Sequence, residues 1–315
     1  MESNMNEAGA CLRALVALAK ADGKITDHER SALASALEMV PETSLGALLD
    51  ETIDFDKVIA EIKTPAAREQ LWQAAYSMIH ADGAASPEEQ RLLDKLRASF
   101  EISEEKASAT KRIFDEAKDT LLPSNIEAIS DPSKRQKEID QDTIKYSVLS
   151  ALLGAFPVPG VAIATDLAIV ALQLKLVRDV GQYWGHKVDK EAAKTLLAGL
   201  GLGTGARIAV SNLAKLVPVW GSAFGATSAF ATTWALGKIA NRYFESGQKA
   251  DIHALRKELK AMEKEGKEAY ANEKDAIENK KKTASTKLAA LNEQRKMGAI
   301  GQAEYERQVA ALADG

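Results

Sequence analysis

The chain has a single cysteine, Cys11, among its 315 residues. That excludes an internal disulfide framework and a four-cysteine metal site, and it fits a reducing compartment. Aromatic residues make up only 5% of the sequence, and Ala and Leu dominate instead, which favours helices over sheet. Histidines number 4. No nucleophile–His–acid set and no cofactor fingerprint accompany them, so no enzymatic activity is expected. No basic stripe with interleaved aromatics is present, so no nucleic-acid partner is expected. The opening residues, Met1 to Glu7, are acidic and polar. They lack the basic-then-apolar pattern of a signal peptide, which points to the cytoplasm.

What the chain does contain is unevenly distributed. Its net charge of −4 divides into an acidic first part and a basic middle. Residues 1–120 carry 14 Lys/Arg against 23 Asp/Glu, and residues 144–246 carry 10 against 5. The basic middle is also apolar, a combination suited to an anionic membrane surface.

The sharpest feature is a repeated phrase. Ala21-Asp22-Gly23 leads to Thr26 and Glu29, and Ala81-Asp82-Gly83 leads to Ser86 and Glu89, 60 residues on. Asp22, Glu29, Asp82 and Glu89 are the oxygen donors that a hard divalent cation such as calcium would take, with glycine permitting the tight turn beside the first ligand. His28 and His80 lie nearby in sequence and would suit a softer metal. The spacing is not that of an EF-hand loop. A second account needs no ion. Thr26 and Ser86 stand three residues before Glu29 and Glu89, the capping-box spacing, and Pro87 occupies the favoured first helical position. Both accounts stay open at this point.

The paired Ala-Asp-Gly-x-x-(Ser/Thr)-x-x-Glu segments, covering about residues 8–120, resemble the TerB-like tellurite-resistance domain. The resemblance implies a bacterial stress-response setting, an all-helical bundle and an acidic metal-binding cluster at Asp22, Glu29, Asp82 and Glu89. The second copy departs from the first at Ala84-Ala85, where the first has Lys24-Ile25.

Apolar periodicity predicts an all-α protein throughout. The expected divisions are 1–120, an acidic bundle of two related helix–loop–helix halves; 121–143, a linker; 144–246, a Gly/Ala-rich helical domain; 247–283, a charged helix, exposed or in a weak coiled coil; and 284–315, a short helical hairpin. Leu216 to Gly237 is uncharged and as one helix would reach about 33 Å, near a bilayer core. Tyr146 to Thr165 holds Pro157 and Pro159 and reads as two half-length helices. Asp166 reads as a solvent-facing position after that turn, or else as a polar contact in a membrane or interface. The glycines at 199, 201, 203 and 205 are followed by no Gly-Lys-Ser/Thr, so the chain has no Walker loop.

Ala155 to Gly160, Asp166-Leu167, Gln173 and Val217 to Gly221 resemble the YcjF-like domain. That resemblance implies a membrane-associated GTPase, or the inner-membrane surface, as partner. Leu288 to Leu291, Gly298, Ile300, Glu304, Tyr305 and Leu312 resemble the SHOCT hairpin, which implies homo-oligomerisation or docking. Together these expectations describe a non-enzymatic, stress- or envelope-associated cytoplasmic protein, peripheral to or inserted in the inner membrane. The alternative is a wholly soluble adaptor that binds a GTPase, its acidic motifs serving only as caps.

Overall fold

The computed structural model describes residues 2–26, 29–30, 33, 37, 44–80, 85–155, 162–203 and 221–313. Among the described residues the protein is all-α, with thirteen helices and no strand. It divides into two compact units, Met1–Arg112 with Gly201–Gly221, and Ile113–Leu200 with Ser222–Gly315.

In the first unit, α1 (Glu2–Ala19) is the central element. Cys11, Leu12, Leu15, Val16 and Leu18 are all buried. Around α1 lie α2 (Leu45–Asp50), α3 (Phe55–Ala60), α4 (Pro65–Ile79) and α5 (Pro87–Ser99). Side chains from α1 also complete the ends of its neighbours. The Glu7 carboxylate accepts from the backbone amides of Lys63 and Thr64, at 2.6 and 2.7 Å, just ahead of α4. The Lys20 ammonium donates to the carbonyls of Leu49 and Glu51 at the end of α2. Each charge sits at the helix end whose dipole it complements. The helix that the Thr26/Glu29 capping box would open lies largely outside the described residues.

α6 (Glu104–Asp119) is followed by an extended segment to Asp131. In the second unit α7 (Pro132–Ala155) packs on α8 (Ala162–Tyr183). The expected linker, 121–143, is therefore only partly a connector. Asp131 accepts from the Lys134 amide at 2.7 Å and Pro132 takes the first helical position, so the Ser-Asp-Pro-Ser punctuation starts a helix rather than marking a loop. Nor does Tyr146–Thr165 form two half-length helices. It comprises the end of one long helix and the start of another, with Pro157 and Pro159 outside the described residues.

α9 (Lys190–Gly199), α10 (Gly221–Glu245), α11 (Ile252–Asn272), α12 (Lys274–Lys296) and α13 (Gln302–Ala311) complete the unit. Small residues set how closely these helices approach. A Cβ on Gly154 of α7 would lie 2.4 Å from the Gly225 carbonyl oxygen of α10, and one on Gly225 would lie 2.4 Å from the Gly154 carbonyl oxygen. Gly266 of α11 is similarly pressed against Ala231. Buried Val148, Ala151, Ala226, Phe230 and Ile277 form the surrounding core. Much of the Gly/Ala richness of 144–246 thus serves packing within a helical unit. Among the described residues no helix is long and apolar enough to cross a membrane, and Leu216 to Trp220 lie outside them.

The charged stretch expected as one helix is two, α11 and α12, meeting at Glu273. α11 is not exposed all round. Leu255, Leu259, Met262 and Gly266 recur every three or four residues and are buried, so the helix is amphipathic and its charges occupy the remaining faces.

Candidate functional site: the facing capping boxes and the buried polar hub

Both halves of the repeated phrase form their caps. In the first, the Thr26 amide donates to Glu29 Oε2 at 2.8 Å and the Thr26 hydroxyl to the same oxygen at 2.9 Å, while the Glu29 amide donates to Thr26 Oγ1 at 3.2 Å. In the second, the Ser86 amide donates to Glu89 Oε2 at 2.7 Å and the Glu89 amide to Ser86 Oγ at 3.2 Å. These are two reciprocal capping boxes.

The two boxes meet through their glutamates. Glu29 is 4% exposed. Burial pushes its carboxyl up to about 7, against the opposing hydrogen bonds from Thr26, and the neighbouring Glu89 adds to the rise by its charge and by a hydrogen bond between the two side chains. The Glu29 carboxylate is thus disfavoured beside Glu89, so Glu29 holds its proton or needs a cation nearby.

Asp22 behaves differently. It is exposed, and its Oδ1 accepts from the Lys24 amide at 2.8 Å, closing a local turn in which Gly23 has a φ of 78°. That left-handed backbone explains the glycine. The His80 ring stacks on Tyr76, 4.2 Å between centroids, and its Nδ1 lies 2.9 Å from the Tyr76 carbonyl oxygen. Asp82 and His28 lie outside the described residues. Among the described residues no group of three or more His, Cys, Asp or Glu side chains is placed to hold a metal ion. Of the four expected ligands, the structure brings together Glu29 and Glu89.

The second unit holds buried polar groups that periodicity alone did not signal. Asp179, fully buried, accepts from the Ser124 hydroxyl, the Tyr146 hydroxyl (3.1 Å) and the Lys175 ammonium (2.9 Å). Tyr183 donates to Asp142 at 3.0 Å. Burial, aided by the charge of Asp142, pushes the Tyr183 phenol well above its ordinary range.

The C-terminal hairpin, α12–α13, makes another such hub. Gln302 donates from Nε2 to the Ala164 carbonyl of α8 at 3.0 Å and to Glu306 at 2.8 Å, and its backbone amide donates to Glu116 at 2.6 Å. Burial raises the Glu306 carboxyl to about 7. Asp166 is 4% exposed, which excludes the solvent-facing reading and leaves that of a polar contact. α13 packs on α8, and the charge of Asp166 reaches buried Tyr305, whose phenol is pushed up to about 12, chiefly by burial. An Asp inside an otherwise apolar run gave the only sequence signal for this hub.

Comparison with known proteins adds the following. Residues 1–113 match the family described as "Protein of unknown function (DUF533)", a family related to TerB-like tellurite-resistance proteins. The chain is also similar to "Magnetosome membrane protein 22" of Magnetospirillum gryphiswaldense, at 32% identity over 119 residues, covering 35% of this chain. It spans 59% of that relative's length. No solved structure matches.

Proposed function

We propose that the chain is a non-enzymatic, membrane-associated protein whose acidic first unit responds to a divalent cation. The observation that carries the membrane part is the similarity to a magnetosome membrane protein. The basic balance of residues 144–246, 10 Lys/Arg against 5 Asp/Glu, supports it, since such a surface is drawn to anionic lipid. The cation part is supported by the meeting of Glu29 and Glu89. A hard ion such as calcium would neutralise that pair, with Asp22 and Asp82 as the further oxygen donors of the two matching phrases. The YcjF-like and SHOCT-like resemblances extend the proposal to a membrane-associated GTPase as partner for 144–246 and to self-association through the C-terminal hairpin, in a bacterial stress response.

Flotation of the purified full chain on a density gradient tests the membrane part. The chain is expected to rise with vesicles containing phosphatidylglycerol and to stay at the bottom with phosphatidylcholine alone. Failure to rise with either overturns it.

A further inference from the structure

A chain that meets an anionic membrane does so through a face rich in cations, and α11 has one. Lys257, Lys260, Lys264 and Lys267 follow one another at steps of three, four and three residues, and all four are exposed. At 3.6 residues per turn this places them on one side of the helix, opposite buried Leu255, Leu259, Met262 and Gly266. The row is about 15 Å long. Exposed His253 continues the same line one turn earlier.

The acids of α11 flank this line, and exposed Glu268, four residues after Lys264, lies beside it. Glu258 is held by Arg242, at 2.5 Å, and Glu263 by the Thr232 hydroxyl, at 2.9 Å, both from α10. Glu265 and Glu268 remain exposed along one edge. A helix that is nearly neutral in composition therefore presents a positive row to solvent. The composition alone does not show this, because alternating Lys and Glu read as an evenly solvated helix.

We infer that the lysine row of α11 is the contact surface for an anionic phospholipid membrane, an assignment that rests on the membrane reading above. Three observations favour lipid over nucleic acid. The row's exposed cations are lysines, point charges suited to headgroups, and the one adjoining arginine, Arg256, is half-buried. The row carries no Phe, Tyr or Trp on which a base could stack, His253 being its one ring. Its neighbours on the outward side, such as Ala261 and Ala271, are small, so the helix lies on the headgroups rather than sinking among the acyl chains.

Each lysine near an anionic surface contributes about a fivefold gain in binding, reduced here by Glu265 and Glu268 at the edge. The test is co-sedimentation of the full chain with phosphatidylcholine vesicles containing phosphatidylglycerol. The wild type is compared with a quadruple variant, Lys257→Gln, Lys260→Gln, Lys264→Gln and Lys267→Gln. Glutamine has nearly the helix propensity of lysine, and a melting curve checks that the fold is kept. Two double variants, K257Q with K264Q and K260Q with K267Q, stand in should the quadruple variant fail to fold. The expected result is a loss of at least tenfold in the quadruple variant, an intermediate loss in each double variant, and release of the wild type by high salt. Wild-type binding that the variants leave unchanged overturns the assignment while leaving the membrane reading intact. A wild type that binds no vesicle overturns both. Lysine-dependent binding to duplex DNA, with no vesicle binding, also overturns the assignment.

Discussion

Replacing Glu29 by Gln isolates the meeting of the two capping boxes. The wild-type carboxyl is raised to about 7, against about 4.3 for a glutamate in an unfolded chain. Below the lower value both states are protonated and the full stability is present. Between the two values the folded chain holds a proton that the unfolded chain has released. Stability therefore falls as pH rises, and it levels off above about 7. The loss approaches about 4 kcal/mol, an upper bound because Glu89 shares the site.

Gln is the alternative residue at this position of a capping box. It keeps an oxygen for the Thr26 amide and offers an amide toward Glu89 at every pH. E29Q is therefore expected to match the wild type near pH 4.5 and to exceed it by about 2 kcal/mol at pH 8. Urea unfolding followed by circular dichroism, at both pH values and in a chelator, measures the difference. An E29Q protein less stable than wild type at pH 8 refutes the reasoning, because it would mean that the ionised carboxylate is favoured there. Calcium then separates the two accounts of the motif. If the pair holds an ion, calcium raises wild-type melting at pH 8 and leaves E29Q unmoved. If the boxes are only caps, calcium changes neither.

Gly225→Ala should destabilise the second unit by about 1–3 kcal/mol in urea unfolding, since its Cβ would meet the Gly154 backbone, which yields less readily than a side chain. Gly9→Ala, in α1 with open space around it, should instead be neutral or stabilising by up to about 1 kcal/mol. Asp179→Ala strands the Lys175 ammonium and the Tyr146 and Ser124 hydroxyls, and a loss of about 3–5 kcal/mol is expected in thermal melts. Cys11 is fully buried, and that burial pushes its thiol well above the ordinary range. It should resist a thiol reagent in the native protein and react on unfolding.

The helices were legible because their signals are local. The Thr26/Glu29 and Ser86/Glu89 spacing announced two caps, and the structure forms both. What sequence could not show is that the two glutamates meet, since that depends on how the helices they begin pack together. The choice between the two readings of Asp166 is hidden in sequence for a similar reason. From its own helix it is a break in an apolar run, whereas the group its charge reaches, Tyr305, lies on α13, about 140 residues later in the chain. Residues 121–143 read as linker composition because capping residues and loop residues are the same residue types. On α11 the Lys and Glu residues alternate in sequence, and only the faces they occupy sort them into a positive row.

Fractionation of cells of the chain's own source tests the central claim most directly, by following where the full chain goes before and after the membrane pellet is washed. The account predicts that a substantial share pellets with membranes and that high salt releases it, as for a protein held by lysines on anionic headgroups. A chain found wholly in the supernatant before any wash contradicts it.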